Sequence, residues 1–214
     1  MRPSDTGTQT QEAPGRRTVM LDLGGVVCRF LSARRLDALA RASGLSAEEV
    51  HQRLFASGFD QDCDRGRYDL QQQCEQIRAR LGVSWDQALL ARLWAQAFEP
   101  DRHVLNVVDH VRAKAGTALF TNNGPLVHLV IEKLLPDVAE RFDQLCFSYQ
   151  VGALKPEPDA YLATLQRLDI SPGQCVFVDD TKRNVEGARA VGIDAFCFIS
   201  VDALAKELQD RGLG

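Results

Sequence analysis

Six polar residues stand where apolar runs end: Asp22 after Val-Met-Leu, Thr121 and Asn122 after Ala-Leu-Phe, Lys155 after Gly-Ala-Leu, and Asp179 with Asp180 after Val-Phe-Val. Burying a carboxylate costs several kcal/mol unless it is paired or holds a metal, so an acid at the end of an apolar run marks a candidate site. If the runs are parallel strands, their carboxyl ends share one rim, which is where open α/β sheets bind ligands. A hydroxyl, an amide, an amine and three carboxylates would meet there. Three carboxylates at one point repel one another and need a cation. Oxygen-only ligation is what magnesium selects, with water and a substrate phosphate filling its octahedron. In this reading Asp22 and Asp179 share the ion. The Thr121 hydroxyl, the Asn122 amide and the Lys155 ammonium are donors suited to the equatorial oxygens of a transferring phosphoryl group. Asp22 keeps one oxygen free to attack phosphorus, a covalent route through an aspartyl phosphate that water completes.

The elements that would hold these groups follow from period and punctuation. Thr18 to Leu23 is a short apolar run closed by Gly24 and Gly25, as for a buried strand ending in a tight turn. Residues 32 to 98 turn helical in period. Ser32 opens a first helix that Gly44 stops, Ser46 with Glu49 forms a capping box for a second, and Asp69 caps a third running to Gly82. Ser84 with Gln87 predicts a fourth, bearing Leu90, Trp94 and Ala97. From Pro100 onward strand and helix alternate, the pattern of a doubly wound parallel sheet with crossover helices. Helices are predicted near 102–115, 125–135, 158–168 and 184–191, and strands near 117–121, 145–148, 175–179 and 195–199, with a terminal helix from Asp202. The polar, unpatterned residues 1–17 read as a disordered lead-in.

Composition narrows the function classes. In 214 residues, 25 basic against 29 acidic side chains leave a net charge of -4, with no basic surplus for a nucleic acid backbone. No apolar run approaches the ~20 residues of a membrane span, and the first residues lack the apolar core of a secretory signal. Six scattered cysteines without a Cys-x-x-Cys pair read as reduced thiols. The expectation is a cytoplasmic protein acting on a small molecule, with no nucleic acid or membrane partner.

At the six polar residues the chain resembles the haloacid dehalogenase superfamily, whose four signatures stand here as LDLGGVV, LFTNN, the Lys of GALKPEPDAY, and VFVDD followed by NVEGA. The wording is most similar to the sugar-phosphatase branch that includes alpha-D-glucose-1-phosphate phosphatase. The resemblance implies a Rossmann-like core over 18–31 and 99–214 with a helical cap, 32–98, inserted after the first strand. It makes Asp22 nucleophile and metal ligand, Thr121 and Asn122 phosphoryl binders, Lys155 the charge stabiliser, and Asp179 a magnesium ligand supported by Asp180. One position departs from the pattern. Most phosphatases of the superfamily carry a second Asp two residues after the nucleophile, as acid for the leaving group and base for water; here Gly24 stands there, able to ligate the metal only through its carbonyl. A missing general acid costs about 10²- to 10⁴-fold, which esters with good leaving groups, anomeric or acyl phosphates, feel least. Two alternatives follow: dehalogenation by attack of Asp22 on carbon, or a binding protein that kept the fold and lost turnover.

Other features have plainer readings. Asp60, Asp62 and Asp64 imitate the start of a calcium loop, but the glycine falls one place late and Gln71 replaces the closing glutamate. An inter-helix turn is the expectation, with Arg65 or Arg67 as candidates for reading a sugar. The four histidines lack metal spacing, although His128 could lie near the rim; Trp85 and Trp94 read as packing residues. Asn184 reads as a first-turn residue holding its loop.

Overall fold

Short β-branched and aromatic runs, apolar on both faces, can be covered only by helices on both sides, and that is the arrangement found. A computed structural model describes residues 16–214. The first elements are β1 (Thr18–Leu21), β2 (Cys28–Phe30), α1 (Ser32–Ser43), α2 (Ala47–Val50), a π-helical turn (His51–Ala56), α3 (Phe59–Asp64), α4 (Leu70–Leu81), α5 (Gln87–Ala95) and β3 (Phe98–Pro100). Then come α6 (Arg102–Arg112), β4 (Gly116–Thr121), α7 (Pro125–Leu134), α8 (Pro136–Ala139), β5 (Gln144–Phe147) and α9 (Ser148–Val151). The chain closes with α10 (Pro158–Leu168), a 3-10 turn (Pro172–Gln174), β6 (Cys175–Asp179), α11 (Lys182–Ala190), β7 (Asp194–Cys197) and α12 (Val201–Asp210).

Five strands form one parallel sheet in the order β5-β4-β1-β6-β7. Leu21 stands opposite Leu119 on one side and Val178 on the other. The next residues of the three central strands, Asp22, Phe120 and Asp179, therefore finish level at the carboxyl edge, with Thr121 one step beyond. Alternation along β1 sends Val19 and Leu21 to one face and Met20 to the other. The first face packs with α4, α5, α6, α7 and α12; the second packs with Tyr161, Leu165, Phe177 and Val185. All six cysteines are unpaired thiols. No helix among the described residues is long and apolar enough to cross a membrane.

The sequence reading missed several local details. The cap of α5 is Asp86, which accepts the Leu89 N–H at 2.7 Å, two residues later than Ser84 would place it. Residues 59–64 are a helix, so the acidic run is not an open loop: Asp60 approaches Arg35 at 3.9 Å and Asp62 pairs with Arg67 at 2.9 Å. β2 and β3 form an antiparallel ribbon pairing Phe30 with Phe98, where only a strand-end turn and a helix end were expected. The last strand ends at Cys197, short of Ile199. Residues 1–15 of the expected lead-in lie outside the described residues. Arg16 and Arg17 are fastened, the first donating to the Arg112 and Ala115 carbonyls at 3.0 and 2.8 Å, the second to the Arg211 carbonyl at 3.1 Å.

Candidate active site

β1 and β4 deliver their polar ends to one small cavity of about 170 Å³, lined by Asp22, Gly24, Thr121, Asn122, Asn123, Lys155 and Asn184, with Phe30 and Phe98 beside them. Lys155 is its hinge. The side chain is 3 % exposed, and its ammonium donates to Asp22 Oδ1 at 2.8 Å, Asp179 Oδ2 at 2.7 Å and the Phe120 carbonyl at 2.9 Å. These three acceptors use all three ammonium donors. The rings of Phe120 and Phe177 lie 5.1 Å from the same nitrogen, and dry surroundings of this kind strengthen the ion pairs.

Asn122 has a task that its position did not suggest. Its amide donates to the Lys155 carbonyl and its carbonyl oxygen accepts the Lys155 N–H, both at 2.9 Å. The side chain expected to bind a phosphoryl group clamps the backbone that carries the lysine, and it also lines the cavity. Thr121, 2 % exposed, holds its hydroxyl at the cavity, where Asn123 Nδ2 donates to it at 2.6 Å. Asn123 was not singled out in the sequence, although it directly follows the threonine and asparagine that were.

The two adjacent aspartates divide their labour. Asp179 is fully buried: Oδ1 accepts from the Thr181 N–H at 2.9 Å and from Asn184 Nδ2 at 3.0 Å, while Oδ2 accepts from Lys155 and, at 3.1 Å, from Asn184. Four contacts take up the four acceptor positions of a carboxylate. Asp180 is exposed, and its Oδ1 accepts only the Thr181 hydroxyl at 3.2 Å. It leans on the turn after β1, where a Cβ at Gly25, φ +89°, would stand 2.1 Å from Asp180 Oδ2; this close approach is why glycine is needed there. Asp180 is thus the freer of the two, and both stand in one acidic group with Asp22. Asn184, read as a loop-holding residue, does hold Asp179 and also lines the cavity.

Asp22, Asp179 and Asp180 each offer an oxygen within 4.8 Å of the others, the one such acidic group among the described residues. Three carboxylates against one ammonium leave a surplus of negative charge, and a divalent cation fits that surplus. Burial pushes the Asp22 carboxyl up to about 6; the Lys155 ammonium opposes this and the Asp179 charge adds to it. Burial, then Asp179, raises Asp180 as well.

Replacing Lys155 with methionine is expected to cost about 3–5 kcal/mol of stability at pH 8, because two facing carboxylates lose their counter-charge. The loss should shrink toward pH 5, where the orphaned pair can take up a proton. Urea unfolding at the two pH values checks this, and an unchanged midpoint at pH 8 contradicts it.

Several candidates lie elsewhere. Arg65 donates to Glu157 at 2.5 and 3.1 Å, tying α3 to the loop after Lys155, and neither it nor Arg67 lines the cavity. His128 stacks at 4.4 Å on Phe147, the β5 residue paired with Thr121, and meets the Tyr149 hydroxyl at 2.7 Å, but it does not line the cavity. Trp94 is buried, with the Arg35 guanidinium 5.2 Å from its ring. Phe30 and Phe98 had given no sequence signal as site residues.

Comparison with known proteins places this geometry in context. Residues 16–192 match the family model for haloacid dehalogenase-like hydrolases. The chain is 37% identical over 94 residues to the chloroplast flavin mononucleotide hydrolase 1 of Arabidopsis thaliana, a stretch covering 44% of this chain and 38% of that protein. It is 29% identical over 189 residues to a phosphatase of Mycobacterium tuberculosis, covering 83% of this chain and 85% of the other. Its fold superposes with a TM-score of 0.71 on a Bacteroides thetaiotaomicron enzyme solved with magnesium and inorganic phosphate, at 20% identity over 86% of this chain and 94% of that one.

Proposed function

Because this chain belongs to the haloacid dehalogenase-like hydrolases, we propose that it is a phosphatase that hydrolyses small phosphate monoesters through a phosphoryl group held on Asp22. The observation that carries the reading is the three-way bridge of Lys155 between Asp22, Asp179 and the Phe120 carbonyl at the cavity floor. Lys155 pins Asp22 Oδ1 and leaves Oδ2 for attack on phosphorus. The Thr121 hydroxyl and the Lys155 ammonium stand beside the place where negative oxygens would collect. Asn122, Asn184 and Asp179 keep the lysine in place, which limits reorganisation during transfer. Magnesium would be held by Asp22, Asp180 and the Gly24 carbonyl, with Asp179 bracing from behind; when bound it supplies charge neutralisation for the phosphoryl oxygens. Helices α1–α5, residues 32–98, serve as the cap in this reading. They are anchored to the core by Gln73, which accepts the Leu126 N–H at 2.9 Å, and by the Ser148 hydroxyl donating to the Asp64 carbonyl at 2.7 Å.

Gly24 decides the substrate kind. No carboxyl group stands there to protonate a leaving oxygen, so esters whose leaving group departs without a proton are favoured, anomeric sugar phosphates and acyl phosphates being the expected kinds. The expected result is phosphate release that needs magnesium and runs at least about 10²-fold faster on acetyl phosphate or glucose 1-phosphate than on serine phosphate. Equal rates contradict the leaving-group argument. Halide release in chelator, with no phosphate released from any ester, would overturn the phosphatase reading in favour of attack on carbon.

A further inference from the structure

The cavity is smaller than the ~300–1,000 Å³ that encloses a drug-sized ligand. A phosphoryl group fills most of it, so the leaving group must lie at its rim. The rim has an unusual make-up. Phe30, on β2, is 48 % exposed yet lines the cavity, and Phe98, its partner on β3, stands behind it with ring centroids 5.6 Å apart. The side of the cavity on which they stand is fixed by Gly24. A Cβ at Gly24 would lie 3.5 Å from Phe30 Cβ and 3.7 Å from Cγ, so the ring borders the direction in which a side chain at 24 would reach the leaving oxygen.

Two arginines near Phe30 in sequence that could meet a second anion are paired with Glu99. Arg34 donates to Glu99 at 2.7 Å, and Arg29 pairs with the same carboxylate. Asn123 Nδ2 donates to Thr121 and Asn184 Nδ2 to Asp179, while Asn184 Oδ1, buried and without a partner, is an acceptor and offers an anion nothing. The Arg35 guanidinium lies over the Phe30 ring, 5.7 Å from its centre, and is itself buried. What the rim offers a leaving group is an aromatic face.

We infer that Phe30, braced by Phe98, is the specificity residue for an aromatic leaving group, and that phosphate monoesters of phenols are the class the rim takes best. The inference rests on the phosphatase reading above and deepens it. It agrees with the glycine at 24: as the Asp22 oxygen bonds to phosphorus, the ester P–O bond breaks and its electron pair leaves on the phenolate, which needs no proton from the protein. Water then cleaves the phosphoryl group from Asp22.

The test separates stacking from acidity. Phenyl phosphate and hexafluoroisopropyl phosphate have leaving groups of similar acidity, and only the first is aromatic. With magnesium, the full chain should show kcat/KM about three- to tenfold higher on phenyl phosphate, the range an aromatic contact provides. In Phe30→Leu and Phe30→Ala the ratio should fall to about one, chiefly through KM, and Phe30→Trp should restore it. A ratio of one in the parent chain, or one unmoved by both Phe30→Leu and Phe30→Ala, overturns the inference while the phosphatase reading stands. Failure of the parent on both esters while it still releases phosphate from acetyl phosphate overturns the inference alone, and failure on all three overturns both. Thermal melts of each variant confirm that the half-exposed ring was removed without loss of the fold.

Discussion

Asp22→Asn is expected to lower phosphate release by 10⁴-fold or more, the scale seen when a covalent nucleophile is removed. The same change should not weaken the fold. In the absence of metal, the Asp22 carboxyl titrates at about 6 when folded, above its ordinary value of 3.8, because burial outweighs the Lys155 ammonium. A carboxyl raised on folding binds more protons in the native state. Its contribution is therefore most favourable below pH 4 and is lost as pH rises through 6, a cost of up to about 3 kcal/mol at pH 8. Asparagine carries no charge to bury and still offers an oxygen to Lys155. In chelator at pH 8 the variant should melt no lower than the parent and somewhat higher, while its activity is gone. A lower melting temperature would mean that the charge of Asp22 stabilises the fold.

Gly24→Asp should act in the opposite direction. Gly24 does not adopt a left-handed backbone, and a Cβ there meets Phe30 at ordinary contact distance, 3.5 Å, so an aspartate can be accommodated. Its carboxyl would supply the acid and base that the cavity lacks, worth about 10²- to 10⁴-fold on esters of poor leaving groups. Glucose 6-phosphate and serine phosphate should gain most, and an aryl phosphate least. The measurement is kcat/KM across that series for parent and variant. A uniform change over all leaving groups would show that position 24 does not act on the leaving oxygen.

Much of this site was legible because chemistry and pattern coincide at strand ends. Short continuous apolar runs marked β1, β4 and β6, and the residues just after them, Asp22, Thr121 and Asp179, had to finish near one edge once the strands were parallel. What the sequence could not display was which partner each polar group takes. Asn122 looks free to bind phosphate, but the loop carrying Lys155 arrives on both ends of its amide. Asp179 and Asp180 are equivalent acids in sequence, yet alternation turns the first inward to Lys155 and Asn184 and the second toward the turn at Gly25. Phe30 was hidden for another reason. A three-residue strand has no readable period, and its partner Phe98 lies beyond five helices, so only tertiary pairing brings the two rings to the cavity. The acidic run at 60–64 misled in the other direction, since spacing alone cannot distinguish a loop from a short helix that sets Asp60 against Arg35 and Asp62 against Arg67.

The central claim is that phosphate passes through Asp22. Without an acid and base at position 24, breakdown of the aspartyl phosphate by water should be slow compared with its formation from an ester with a good leaving group, so the intermediate should accumulate. The direct measurement is mass spectrometry of protein quenched in acid during turnover of phenyl phosphate with magnesium, digested and mapped. The account predicts one phosphoryl group on the peptide containing Asp22, absent from Asp22→Asn. Steady phosphate release by the parent with an unmodified Asp22 peptide, and with Asp22→Asn equally active, would contradict it.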